Sequence, residues 1–288
     1  MKSNFSKKLS IFATMFYFLT TMVASAEVSW SFSKSKKFAK DIYSGNETTF
    51  YCGCSYQNIG KKLVPKWSSC GYSPRNEYTK SGKKNSRSLR IEWEHVMPAW
   101  FFGNQMECWK AGGRKACKKD KLFEKMEADL HNLVPAIGEI NGDRSNFSFA
   151  PIDGEKRVYG ACDFEINFKD RVVEPREAIQ GDIARIYFYM SETYNVSLTQ
   201  KLRKMLKTWS NLDPVDLKEL ERNSKIFRIQ GNSNPFVEGK QTTKKEVASG
   251  HAPATSTSTN SGLSEAAKTS KITELKSYSK KNKLADDF

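Results

Sequence analysis

Residues 90–100 read RIEWEHVMPAW, and the fold turns on how that stretch is laid out. Leu89, Ile91 and Trp93 alternate with Arg90, Glu92 and Glu94, the period of a half-buried strand, and Pro98 ends the run. Regular alternation puts Glu92 and Glu94 on one face and His95 on the other. A glutamate directly before a histidine is either a strand cap with a surface ion pair to Arg90 or a reactive pair. The second reading needs both side chains at one site, so it predicts a backbone bend or bulge at His95. The chain has three histidines in 288 residues, which makes this placement informative.

On the N-terminal side, MKSNFSKKLS carries three lysines and no acid, an apolar run follows, and ASA ends at Ala26. Basic, apolar, small is the order of a secretory signal peptide, expected over residues 1–26. The apolar run is short for a membrane span, and no later segment is apolar enough to cross a bilayer. A single sizeable domain with its own core is expected over 27–239. Residues 240–288 are rich in Ser, Thr and Lys, hold His251, and cannot bury enough apolar surface to order themselves, so a disordered tail is expected there.

Export sets the reading of Cys52, Cys54, Cys70, Cys108, Cys117 and Cys162, an even count suited to three disulfides. Cys52 and Cys54 are too close to pair with each other. Cys108 and Cys117 flank the short basic turn WKAGGRKA and form the natural local pair; Cys162 is expected to close back onto the Cys52/Cys54 segment. The formal net charge is +15, of which +3 lies in the leader and +4 in the tail, leaving +8 on the domain. A basic exported domain suits nucleic acid, anionic lipid or acidic glycan.

Helices are expected over SFSKSKKFAKDIYSG (31–45), DKLFEKMEAD (120–129), EAIQGDIARIYFYMSETY (177–194) and TQKLRKMLKTWSNL (199–212). A further helix should start at Asp213-Pro214, with Asp213 as its N-cap, and run to about Gln230. TTFYCGCSY and DFEIN read as strands and 57–87 as loop. In NLVPAIGEINGDRSNF, Pro135 would open a short helix ending at Asn141, with Gly142 turning the backbone away. Strands and helices intermix without a βαβ rhythm, which predicts a mixed α+β domain.

Two polar blocks remain for chemistry, EWEHVMPAWFFG and DLHNLVPAIGEINGDRSNF. A zinc protease needs a His-Glu-x-x-His pattern that is absent, and no Gly-x-Ser-x-Gly turn supports a serine nucleophile. What remains is a carboxylate and an amide, suited to a hard cation, beside a neutral imidazole: a set that fits phosphodiester hydrolysis.

These blocks, together with FYCGCSY, KWSSCGY, CWKAGGRKAC, GDIARIYFYM and RIQGNSNPFV, closely resemble the bacterial endonuclease I family of exported non-specific nucleases, over about residues 30–238. The resemblance implies a ββα-metal (His-Me finger) site in a disulfide-stabilised fold. It implies His95 as general base, Glu94 and Asn141 as metal ligands, and Arg114 on the scissile phosphate. His131, Arg144, Asn146 and Arg228 are candidates for supporting or phosphate-contacting roles, and Asp143 and Asn232 sit beside them. The implied cofactor is Mg²⁺, with Ca²⁺ or Mn²⁺ as substitutes. The implied partners are double- and single-stranded DNA and RNA, held by their phosphates, with the enzyme a monomer in the periplasm or outside the cell. Two alternatives stay open: a metal-dependent phosphodiesterase of small substrates, and an inactive nucleic-acid-binding protein.

Overall fold

Helix α1 (Phe32–Ile42) opens the described part of the chain, residues 31–154 and 156–238 of a computed structural model. The expected leader and tail lie outside those residues. α1 buries Ser35, Ala39 and Ile42, one stripe at helical spacing. A hairpin of β1 (Tyr56–Ile59) and β2 (Lys62–Pro65) comes next, then β3 (Ile91–His95). Three helices fill the excursion that follows: α2 (Ala99–Gly103), α3 (Glu107–Cys117) and α4 (Lys121–Ala128). Strand β4 (Leu133–Ile137) returns antiparallel to β3, and α5 (Gly138–Arg144) follows it directly. These three elements form the ββα unit.

A three-stranded sheet in the order β5-β7-β6 is built from Ser148–Phe149, Val172–Pro175 and Phe164–Asn167, with β5 parallel to β7. Helices α6 (Gln180–Tyr194), α7 (Gln200–Leu212), α8 (Leu217–Gln230) and α9 (Pro235–Glu238) complete a mixed α+β domain. No helix among the described residues is long and apolar enough to cross a membrane.

α6 is the central core helix. Ile183, Ala184, Ile186, Tyr187 and Met190 are all buried, and Trp209 of α7 packs into the same core. Each large apolar side chain buried there contributes about 1.5–3 kcal/mol. Arg185 is buried in the same helix because its charge is matched: its guanidinium forks onto Glu219 and meets Asp182 and the Asp213 carbonyl. The cap of α8 differs from expectation. Asp216, not Asp213, caps α8 by accepting from Glu219 N, while the Asp213 carboxylate accepts from Gly181 N at 2.8 Å, at the start of α6.

Three other local readings are corrected. TTFYCGCSY is a tight turn rather than a strand, because Gly53 takes φ +69° and Thr49 N bonds back to Cys54 O. Residues 57–87 include the β1–β2 hairpin, whose mostly exposed first strand carries no alternation to read. Pro135 lies inside β4, opposite Trp93, instead of starting a helix. β4 has one neighbouring strand, so half of its N–H groups face away from a ladder and a proline is tolerated there. Asn141 and Gly142 consequently sit within α5. Gly142 is needed for closeness: a Cβ there would fall 2.1 Å from Arg87 Nη1.

The three disulfides are Cys52–Cys162, Cys54–Cys70 and Cys108–Cys117, and no described cysteine is free. The turn at Gly53 is what sends neighbouring cysteines to different partners. Cys52–Cys162 spans 110 residues and ties the turn to the edge of the three-stranded sheet. A Cys52→Ala/Cys162→Ala protein should lose about 2–5 kcal/mol of stability. Denaturant unfolding of both proteins checks this, and an unchanged midpoint would contradict a structural role for the bridge.

Candidate active site

The β3–β4 ladder pairs Ile91 with Ile137, Glu92 with Ala136, Trp93 with Pro135, Glu94 with Val134 and His95 with Leu133. It runs through His95 without a bulge, so the expected bend is absent. Glu94 and His95 emerge on opposite faces, and the idea that adjacency alone turns both onto one phosphate is overturned. The physical reason is the unbroken ladder, extended by a bond from Val96 N to Asn132 O at 3.0 Å.

The carboxylate face lies against α5. Asn141 Nδ2 donates to Glu92 Oε2 at 3.0 Å, so the structure brings Asn141 to Glu92 rather than to Glu94. Arg87 and Arg90 both pair with Glu92. One turn on, Arg144 Nη1 lies 3.5 Å from Glu94 Oε1, and the Tyr51 hydroxyl donates to that same oxygen at 2.9 Å. Burial raises the Glu94 pKa to about 7, against the opposing pull of Arg144.

Among the described residues those contacts leave two oxygens, Glu94 Oε2 and Asn141 Oδ1, with no hydrogen bond of their own. A buried carboxylate whose ionisation is disfavoured, and an amide oxygen on the same α5-facing side of the ribbon, are donors of the kind a hard divalent cation takes. Among the described residues no group of three or more His, Cys, Asp or Glu could hold a metal. A cation here would therefore keep most of its shell as water or substrate oxygen, as Mg²⁺ does.

His95 faces α1 and α4. Its Nε2 lies 2.7 Å from the Glu127 carbonyl oxygen. A carbonyl only accepts, so Nε2 carries the proton and Nδ1 carries the lone pair. Burial lowers the imidazole pKa to about 4, and the cations Arg114, Arg144 and Lys36 push the same way while the Glu127 bond opposes. His95 is thus neutral at physiological pH. The carboxylate of that same Glu127 binds Arg114, with Nε at 2.7 Å. Arg114 follows a kink in α3 where Gly113 takes φ +62°, and the Cys108–Cys117 bridge staples the ends of that helix.

Asn132 clamps the chain just past His95: its Oδ1 accepts from Met97 N and its Nδ2 donates to Met97 O. Arg144, fully buried, donates to Val96 O and His95 O, so it points inward and not toward solvent phosphate. His131 is also fully buried; its Nε2 donates to Asn232 O at 3.1 Å and its ring packs on Tyr189. Asp143 binds Arg75 and Tyr159, and Asn146 accepts from Arg171. Arg228 is exposed on α8, contacting Ser224. None of these three is joined to His95 by a hydrogen bond. Glu127, Tyr51, Glu92 and Asn132 were missed from sequence; only Glu92 had a signal, its alternation with Glu94.

The family model described as Endonuclease I matches residues 29–241. The chain belongs to the endonuclease I family. An extracellular deoxyribonuclease of Aeromonas hydrophila is 46% identical over 221 residues, 76% of this chain and 93% of its own length. A periplasmic deoxyribonuclease from the same organism is 46% identical over 224 residues, 76% of this chain and 92% of its own. An endonuclease-1 of Buchnera aphidicola is 48% identical over 207 residues, 72% of this chain and 80% of its own.

In this endonuclease I chain the second buried histidine has a pH signature. Burial lowers the His131 pKa to about 4, against the pull of Asp129. A histidine with a depressed folded pKa binds fewer protons folded than unfolded. Its contribution is therefore complete above about pH 6.5 and is lost as pH falls toward about 4. Urea unfolding at pH 7.5 and 4.5 should show His131→Gln losing less stability on acidification than the natural protein, by on the order of 2–3 kcal/mol. Equal losses in the two proteins would refute this.

Proposed function

We propose that the protein is an exported, divalent-metal-dependent endonuclease that cuts DNA, double- or single-stranded, and RNA without sequence preference. The observation that supports it most is the seat of His95: Nε2 held on the Glu127 carbonyl, Nδ1 left as a base, and Arg114 on the carboxylate of that same Glu127. The expected leader and the printed names of the extracellular and periplasmic relatives support export. The domain acts as a monomer.

In this reading the substrate phosphate lies across the end of the β3–β4 ribbon, where His95 is the last strand residue and both faces are within reach. His95 Nδ1 takes a proton from a water as that water attacks phosphorus in line. The bond from phosphorus to the 3′ oxygen breaks and that oxygen takes a proton from solvent, leaving a 5′-phosphate and a 3′-hydroxyl. Arg114 exchanges part of its pairing with Glu127 for a phosphate oxygen and steadies the cleaved end. Glu94 and Asn141 would hold Mg²⁺, for which Ca²⁺ or Mn²⁺ can stand in, and Glu92 orients the Asn141 amide. Bound there, the cation would supply positive charge to offset the negative charge of the phosphorane and of the leaving oxygen. Cationic contacts to phosphates read no bases, which accounts for the absence of sequence preference.

Plasmid digestion tests this. EDTA should abolish cleavage and Mg²⁺ restore it, and His95→Ala should lower the rate about 10²–10⁴-fold. Glu94→Gln and Asn141→Ala should raise the Mg²⁺ concentration needed for half-maximal rate. Cleavage at the normal rate by His95→Ala, or in EDTA, would refute the mechanism.

A further inference from the structure

The last carbonyls of a helix have no partner within it, and at the end of α4 two of them are taken by different elements. Glu127 O binds His95 Nε2 at 2.7 Å, and the next carbonyl, Ala128 O, accepts from the Ser35 hydroxyl of α1 at 2.5 Å. Ser35 is fully buried, three residues after Phe32. The Phe32 ring centroid lies 4.8 Å from that of the His95 imidazole, tilted by 37°. The only other ring recorded against His95 among the described residues is Phe102, at 6.5 Å.

One hydrogen bond fixes a direction and leaves the imidazole free to tilt about it. An aromatic face packed on the ring removes that freedom. Misplacement of a reacting group by about 1 Å costs on the order of 10²-fold in rate.

We infer that Phe32, anchored through Ser35, is a positioning residue that holds His95 with Nδ1 toward the attacking water. The inference rests on the reading of His95 as the base. Phe32 also borders the apolar cluster of Ala39, Ile42 and Leu130, where Phe38 packs too. Phe38 is therefore a control for packing alone.

The test uses the full-length exported protein and a quenched fluorescent oligonucleotide with Mg²⁺, reading kcat, KM and the thermal midpoint. Phe32→Ala should lower kcat about 10–100-fold with KM within about twofold, and Phe32→Tyr should restore most of it. Phe38→Ala should lower the midpoint while leaving kcat unchanged. Ser35→Ala keeps the ring but unpins the helix; it should lower kcat severalfold, and it decides the matter if Phe32→Ala does not fold. Wild-type kcat in folded Phe32→Ala, or failing that in Ser35→Ala, with His95→Ala inactive, overturns this inference alone. An equal kcat loss in Phe38→Ala overturns it as well. An active His95→Ala overturns the underlying reading too.

Discussion

The register of five residue pairs between β3 and β4 is the constraint on which the rest depends. A two-stranded ribbon with α5 on one face and α1 on the other has no neutral slip: shifting by one residue would exchange the faces of every side chain. Glu92 and Glu94 would then meet the apolar cluster around Leu130 and Leu133, and Trp93 would meet Arg144. The register is held at its open end by Asn132, whose main chain extends the ladder and whose side chain bonds both polar groups of Met97. Those contacts close the excursion 96–132 and deliver Glu127 to His95.

Burial drives the two charged partners of the site in opposite senses that share one outcome. Desolvation raises Glu94 to about 7 and lowers His95 to about 4, so each is pressed toward its neutral form. For His95 that is the form of a base. For Glu94 it is a deficit of positive charge, incompletely met by an arginine 3.5 Å away. Breaking the Arg144–Glu94 contact by removing the arginine would leave the carboxylate buried with less compensation, and would free the Val96 carbonyl as well. The same guanidinium thus supports both faces of the ribbon.

Much of the fold was legible because its signals are local. The 3.6-residue stripe of α1, the amphipathic pattern of α4 and the apolar length of α6 depend on neighbours in the chain. Cys108–Cys117 was legible for the same reason, nine residues of separation around a glycine turn. The misreadings came where a distant partner overrode local preference. Pro135 looks like a helix start until β3 claims it as a strand residue, and Asp213 looks like the cap of α8 until Gly181 takes its carboxylate. Glu127 could not be picked out at all, since the atom that meets His95 is a main-chain oxygen, which every residue possesses.

The sequence by itself determined the mixed α+β class, the residue types available for chemistry, and, through simple alternation, that Glu92 and Glu94 share one face of a strand. It also carried, in blocks spread from Phe50 to Val237, membership in the endonuclease I family. Only the tertiary structure decided that the alternation holds through His95, that Asn141 meets Glu92, and that α1 closes over the imidazole. Those outcomes depend on which side chains and main-chain groups from distant parts of the chain meet, and that is settled when the elements pack together.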